Sequence, residues 1–413
     1  MKGPLWEELP DGWRAGQVKH VATVTLGKML QSKDSGSDVR APYMRAANVQ
    51  PNGVLTLDDV NEMWFGEDEL AQLSIRAGDV VVVEGGQGGF GRAAYIDQDL
   101  PAWGFQNSIN RLRPIGDFDG RFIAFYLIAL RASGFIRAYS NVVSMPHLTA
   151  EKLARIPIPI PPVEAQRAIA DYLDGETTRI DTLIEEQQRL IKMLRERRES
   201  AIRTVLLRGL DHDVPLRASG SEFLGQIPSA WTAVPTRYLC TISTGSEDSG
   251  NASSDGAYPF YVRGREILRS DTYAFDGEAV MTPGDGQGGT GKVFHYFNGK
   301  FQAHQRVYVF TDFDRITGRY FYYYLSTFLR PIALAGSNTV TMESLRRPLL
   351  AGFPVAVPPA REQALIVEHL DEQTAKIDQL IAETERFVEL AQERRAALIT
   401  AAVTGQIDVR EAA

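Results

Sequence analysis

The sequence predicts an α+β protein in which two globular domains are separated by a long antiparallel two-helix coiled coil, the whole forming an internal pseudo-twofold repeat. Three observations predict it. The chain is written twice, each copy ends in a long stretch with a narrow apolar seam, and each globular half mixes strand-like with helix-like segments.

The repeat is clearest in the segments "IPIPIPPVEAQRAIADYLDGETTRIDTLIEEQQRLIKMLRERRESAI", from Ile156, and "FPVAVPPAREQALIVEHLDEQTAKIDQLIAETERFVELAQERRAALI", from Phe353. They align without a gap and are identical at roughly a third of positions. Shared landmarks are Pro161 and Pro162 with Pro358 and Pro359, Gln166 with Gln363, Leu173 and Asp174 with Leu370 and Asp371, and Arg198 with Arg395. The preceding regions repeat more loosely, through Pro10 and Pro228, Trp13 and Trp231, Gly27 and Gly245, and "SNVVSM" from Ser140 with "SNTVTM" from Ser337.

After each Pro-Pro pair, which suits a helix start, apolar residues recur at coiled-coil spacing. The expected seam is Ile169, Leu173, Ile180, Leu183, Leu190 and Leu194, with polar Gln187 on the same line, then Ile366, Leu370, Ile377, Leu380 and Phe387 in the second copy. Residues 163–207 would span roughly 65–70 Å at the helical rise. A helix that long with one apolar seam needs a partner, and its own repeat is the natural one. In the globular halves, "AGDVVVVEGG" and "RVYVFTDF" read as strands, while "GRFIAFYLIALRASG" and "GRYFYYYLSTFLRP" read as short buried helices. Residues 209–231 read as a polar linker punctuated by Gly, Ser and Pro. The expected domains are 1–155, 156–210, 211–352 and 353–413, alternating globular and helical.

Composition bounds the function. The chain has 413 residues, 44% hydrophobic and 23% charged, enough for two or more packed domains. No apolar run is long enough for a membrane span, and "MKGPLWEELPDGW" lacks the apolar core of a secretory signal. Cys240 is the only cysteine, which excludes an intrachain disulfide and a Cys-based zinc site and points to the cytoplasm. The net charge of −8 argues mildly against a nucleic-acid partner, although a local basic face can override it.

The segment "GDGQGGTGKVF", from Gly284, resembles a phosphate-binding loop at first sight. Such a loop needs Ser or Thr after its Lys to ligate Mg²⁺, and a helix to follow. Here Val293 follows Lys292, and "KVFHYF" alternates like a strand. The twin, "GGQGGFGRAAY" from Gly85, has Arg92 at the Lys position and Ala93 after it. A Gly-rich turn between strands is the better reading, with a second role open: backbone and cation presented to a polyanion.

Polar and basic residues cluster around both turns. They are Arg45, Asn48, Gln87, Arg92, Gln106, Asn107, Asn110 and Arg111 in the first copy, and Arg263, Arg265, Gln287, Lys292, Gln302, His304, Gln305 and Arg306 in the second. Arg, Asn and Gln can make paired hydrogen bonds to base edges, so these are candidate DNA contacts. Catalytic constellations are lacking. The six histidines show no metal-ligand spacing, no G-x-S-x-G elbow occurs, and the tetrapeptide of amino-methyltransferases is absent. No metal site is expected, and no chemistry in this chain.

Two variable halves, each opened by "LPDGW" or "LGQIPSAW" and each leading through "IPxPxPPxxxQ…LD…RIDxLI" or its close variant into a long helix, resemble the specificity subunit of type I restriction–modification systems. The likeness covers essentially the whole chain; Ala165 replaces the family's Glu before Gln166, a minor departure. The resemblance implies two target recognition domains that read the halves of a bipartite, asymmetric site in double-stranded DNA. Paired helices would set the spacing. It also implies two methyltransferase partners that carry S-adenosylmethionine, and restriction subunits that use ATP and Mg²⁺, with no cofactor on this chain. The alternatives are a nucleotide-binding enzyme built on the Gly-rich loops and an interaction scaffold that does not touch DNA.

Overall fold

The computed structural model describes residues 2–86, 88–140, 147–285, 290–335 and 344–410. The chain divides into two compact units, Met1–Gln187 together with Arg386–Ala413, and Gln188–Glu385. Gln87, Gln287 and most of the "SNVVSM" and "SNTVTM" segments lie outside the described residues.

In the first unit a four-stranded antiparallel sheet runs in the order Ala22–Leu26, Ile109–Pro114, Val80–Val83, Ala93–Tyr95. The run of four valines is buried throughout, as a central strand covered on both faces requires. One face packs on the helix Gly120–Ala132, the other on a core containing the three-stranded sheet of Asn61–Phe65, Val39–Met44 and Gly104–Phe105. Asp119 caps that helix, accepting from the Arg121 and Phe122 amides. In the second unit a six-stranded sheet is ordered Thr241–Thr244, Val307–Thr311, Phe275–Pro283, His295–Ala303, Tyr258–Tyr261, Ile267–Ser270. Against it lies the helix Gly318–Ala335, whose aromatic run fills the core. The glycines Gly27 and Gly245 are needed for close backbone approach. A Cβ would stand 2.3 Å from the Gln106 carbonyl oxygen in one case and 1.9 Å from that of Ala303 in the other.

A joint of the same design links each domain to its long helix. Arg14–Gln17 pairs antiparallel with Pro157–Ile160, and Thr232–Pro235 with Pro354–Val357. The Pro-Pro pair follows, then the helices Val163–Arg208 and Ala360–Val403, of 46 and 44 residues. Gln166 and Gln363, each 1% exposed, lock the joints. Gln166 donates to the Pro161 carbonyl at 2.9 Å and accepts from the Asp119 amide at 3.1 Å. Gln363 donates to the Pro358 carbonyl at 2.9 Å and accepts from the Thr317 amide at 3.0 Å.

Within each unit the helical segments run antiparallel. In the first, Arg395 makes a two-pronged ion pair with Asp181, at 2.8 and 3.0 Å, and Ile169 and Leu173 share a core with Ile399 and Val403. In the second, Arg198 pairs with Asp378 at 2.7 Å and Arg195 with Glu385 at 2.6 Å, while Ile202 and Leu206 share a core with Ile366 and Leu370. The buried register departs from the expected seam. Ile169, Leu173, Ile180, Ile366, Leu370 and Ile377 are buried and Leu194 is half-buried, but Leu183, Leu190, Leu380 and Phe387 are exposed. Ile184, Ile191 and Thr384 are buried instead. Steps of four and three from Leu173 pass through Thr177, Ile180, Ile184, Gln187 and Ile191, so the buried line takes Ile184 and Ile191, each one place after a leucine that suggests another line.

The two leucine/isoleucine neighbours give a test of this register. Ile184→Glu places a carboxylate in a buried position and should lower unfolding free energy by roughly 3 kcal/mol. Leu183→Glu should leave it within about 0.5 kcal/mol. Equal effects in urea denaturation would contradict the register.

Candidate nucleic-acid interface

Each Gly-rich segment closes a β-hairpin. The first joins Val80–Val83 to Ala93–Tyr95, and Gly91 and Val83 extend the ladder, with Gly91 donating to the Val83 carbonyl at 3.0 Å and Val83 to that of Arg92 at 2.8 Å. The second joins Phe275–Pro283 to His295–Ala303. A strand follows Lys292, where a nucleotide loop would need a helix N-terminus to bring amides and dipole to the phosphate. In both halves a strand, not a helix, follows the segment.

The candidate DNA contacts separate into two groups. Asn48, Asn110, Arg111, Gln302 and His304 are buried and make hydrogen bonds inside the protein. Asn48 accepts from the Arg45 amide and donates to the Thr56 carbonyl, both at 2.9 Å. Asn110 donates to the Leu148 carbonyl at 2.8 Å. The Arg111 guanidinium donates to the carbonyls of Gln72 and Ser74 at 3.0 and 2.6 Å and to the Thr25 hydroxyl at 3.2 Å. Burial pushes its pKa down to about 10, which still leaves it cationic at neutral pH. Gln302 accepts from the Ala303 amide at 3.0 Å and donates to the Thr272 hydroxyl at 3.4 Å. The His304 ring accepts from the Arg306 amide at 3.0 Å, and burial holds its pKa below the ordinary histidine value. All five are buried with hydrogen bonds to neighbouring protein groups, which suits them to supporting turns.

The second group stays accessible. Gln106 and Asn107 are half-buried in the turn before Ile109–Pro114, with the Asn107 amide on the Lys28 carbonyl at 2.8 Å. Arg45 pairs with Asp59, and Arg92 donates to the Val49 carbonyl at 3.3 Å. In the second unit Arg265 and Lys292 are exposed, and Arg263 and Arg306 converge on Asp285, at 3.7 and 2.5 Å. Exposed Gln305 donates to Asp248 at 3.4 Å.

One contributor has no signal in the sequence. Arg131, forty residues beyond the first turn, donates to the Phe90 carbonyl at 3.1 Å and the Gly88 carbonyl at 3.4 Å. Burial and the neighbouring Arg92 charge push its pKa below the ordinary arginine value. Two cations therefore flank the first Gly-rich turn, whereas the second turn is bordered by Lys292 and the Asp285 pair. Anchored cations around a turn with little side-chain bulk suit a backbone phosphate better than a base edge.

Two segments, residues 10–193 and 228–387, match the family model described as the type I restriction modification DNA specificity domain. The chain belongs to that family. The Escherichia coli type I restriction enzyme EcoDI specificity subunit is 31% identical over 183 residues, a match spanning 44% of this chain but only 40% of that relative. A putative type I restriction enzyme MjaX specificity subunit of Methanocaldococcus jannaschii is 19% identical along 98% of this chain and 95% of its own. A chain solved in work on complex assembly and conformational transition of the type I R-M system superposes with a TM-score of 0.75 at 17% identity, covering 97% of this family member and all of itself. The HsdS subunit from Thermoanaerobacter tengcongensis gives 0.52 at 18% identity, covering 98% of this chain. These likenesses show an HsdS-like fold of mixed helix and sheet with long helices.

The division of the candidates can be tested on Arg111 and Arg265. Arg111→Ala leaves buried carbonyl acceptors unpaired and should lower stability by about 2 kcal/mol. Arg265→Ala should leave stability within about 0.5 kcal/mol. An Arg111→Ala variant that unfolds at the parent's urea midpoint would return Arg111 to the interface.

Proposed function

We propose that this chain is the DNA-reading and scaffolding subunit of a type I restriction–modification complex, with one recognition domain for each half of a bipartite site. The observation that carries the proposal is the double family match, in which each segment contains one domain, its joint and the start of its long helix. Two different domains read two different half-sites, so the site is asymmetric. The long helices form an antiparallel coiled coil that sets the spacing, by the same geometric logic that ties dimer spacing to half-site spacing. Support for the pairing comes from the ion pairs at repeat-related positions. Arg395 meets Asp181 in one unit and Arg198 meets Asp378 in the other, an exchange a pseudo-twofold relation would produce.

Chemistry then belongs to partners: methyltransferase subunits with S-adenosylmethionine, and restriction subunits with ATP and Mg²⁺. This chain carries no catalytic group in that scheme. Cys240 fits it, because burial pushes its thiol up to about 12 and leaves it a poor nucleophile. Both long helices also expose apolar side chains at repeat-related positions, Leu183, Leu190 and Met193 on the first and Leu380, Phe387 and Leu390 on the second. Those side chains are suited to partner contacts.

The test is base-resolution methylation profiling of DNA from cells that hold the cognate methyltransferase, with and without this chain. The expected result is adenine methylation at one asymmetric bipartite motif, present only with the chain. Identical profiles in both strains would leave the chain as a scaffold without DNA reading.

A further inference from the structure

The second unit contains a cavity of about 690 Å³ between the helix Gly318–Ala335, the two long helices and the end of the Gly-rich turn. Four cations line it, Arg195, Arg198, Arg265 and Lys292, against two carboxylates, Glu199 and Asp378. Both carboxylates are committed: Asp378 to Arg198 at 2.7 Å, and Glu199 to Arg203 at 3.2 Å. Arg195 is neutralised by Glu385 at 2.6 Å. Among the described residues, Arg265 and Lys292 have no carboxylate within 4.0 Å. This excess of positive charge lies in a chain whose net charge is −8.

Lys292 is presented, not merely exposed. Its neighbours Gly291 and Val293 are buried, and the Thr282 hydroxyl holds the Val293 carbonyl at 3.0 Å, so the backbone on either side of Lys292 is anchored. The Tyr322 side chain adds a half-exposed aromatic wall. The corresponding place in the first unit is built differently. Its cavity of about 470 Å³ holds Arg121 and Arg395, each already paired with aspartates, and Asp97 adds a further negative charge. Arg92, the repeat counterpart of Lys292, does not line that cavity and reaches the Val49 carbonyl instead. Between these two repeat-related cavities, the excess of positive charge lies in the second unit's.

We infer that this cavity binds a phosphate-bearing ligand through Arg265 and Lys292. Guanidinium and ammonium donors with no partner among the described residues, against an aromatic wall, select phosphate oxygens over neutral polar groups. Two sources share that chemistry, a free phosphate compound and the DNA backbone. The second source rests on the DNA reading proposed above.

The experiment compares the full chain with an Arg265→Ala/Lys292→Ala double variant and a Lys300→Ala control, all checked for equal thermal melting. Calorimetry with inorganic pyrophosphate reads the free source. The salt dependence of binding to a non-specific duplex reads the backbone source. A free ligand is indicated if the parent binds pyrophosphate and the double variant binds it at least tenfold more weakly, with Lys300→Ala unchanged. A backbone contact is indicated if the double variant's log–log salt slope is shallower by about 2, near 0.9 per phosphate. Equal behaviour of parent and double variant in both assays, or no binding by the parent in either, overturns the inference. Motif-selective methylation that survives such a result would leave the DNA reading standing while the cavity proposal falls.

Discussion

The arrangement depends on the buried amide at each joint. A glutamine side chain brings one donor pair and one acceptor, and Gln166 and Gln363 use both ends on backbone groups of two different segments. One segment is the Pro-Pro entry to the long helix, the other the loop that starts the domain helix. An amide left unpaired at 1% exposure would cost more than the bond itself contributes, so the geometry tolerates little rotation. Ion pairs brace the same corner. Arg121 bridges Asp171 and Asp174 at 2.6 and 2.9 Å, and Arg319 meets Asp371 at 2.6 Å, with the Tyr323 hydroxyl also on Asp371. A domain fixed this way takes its direction from its helix, a rigidity that the proposed reading of DNA would require.

The helices carry the second constraint. Their buried line is partly polar, with Thr177, Thr374 and Thr384 donating to the carbonyls of Leu173, Leu370 and Leu380 at 2.6–2.7 Å. Those hydroxyls are satisfied within their own helix, so they weaken the seam without leaving orphaned groups. Register then falls to directional contacts. Arg395, with its side chain 6% exposed, couples Asp181 on the opposing segment to the Asn52 carbonyl of the first globular domain at 3.2 Å. Its counterpart Arg198 is half-buried and contacts the helix partner Asp378. Buried or half-buried ion pairs of this kind contribute less to stability than to choosing one alignment over a slipped one.

Much of this was legible in the sequence, and the reason is duplication. Gln166, Asp174, Arg198 and Gly27 drew notice through their twins, and the structure gives each a structural role in the joint, the helix pairing or a close backbone approach. The Gly-rich loops were readable as turns because the residue after Lys292 and the alternation beyond it exclude a helix start. The interface was less readable. Asn, Gln and Arg serve base edges and buried carbonyls by the same hydrogen bonds, so Asn48, Arg111 and Gln302 could not be told from surface residues by type. The seam slipped by one place because Leu183 and Ile184 are equally apolar and Thr177 and Gln187 hide the period. Arg131 and the charge of the second-unit cavity arise from residues far apart in the chain, a long-range property that local pattern does not hold.

Taken together, the joints orient each domain on its helix and the ion pairs hold the helical segments within each unit in one register; under the proposed function such a device would set the spacing between half-sites. The most direct measurement is the methylated motif of a variant lacking residues 185–191 and 382–388, a repeat-matched heptad from each helix. Seven residues correspond to roughly 10 Å of helix, or about three base pairs at about 3.4 Å each. The account predicts that both half-sites persist with a spacer about three base pairs shorter. A motif with unchanged spacing would contradict it.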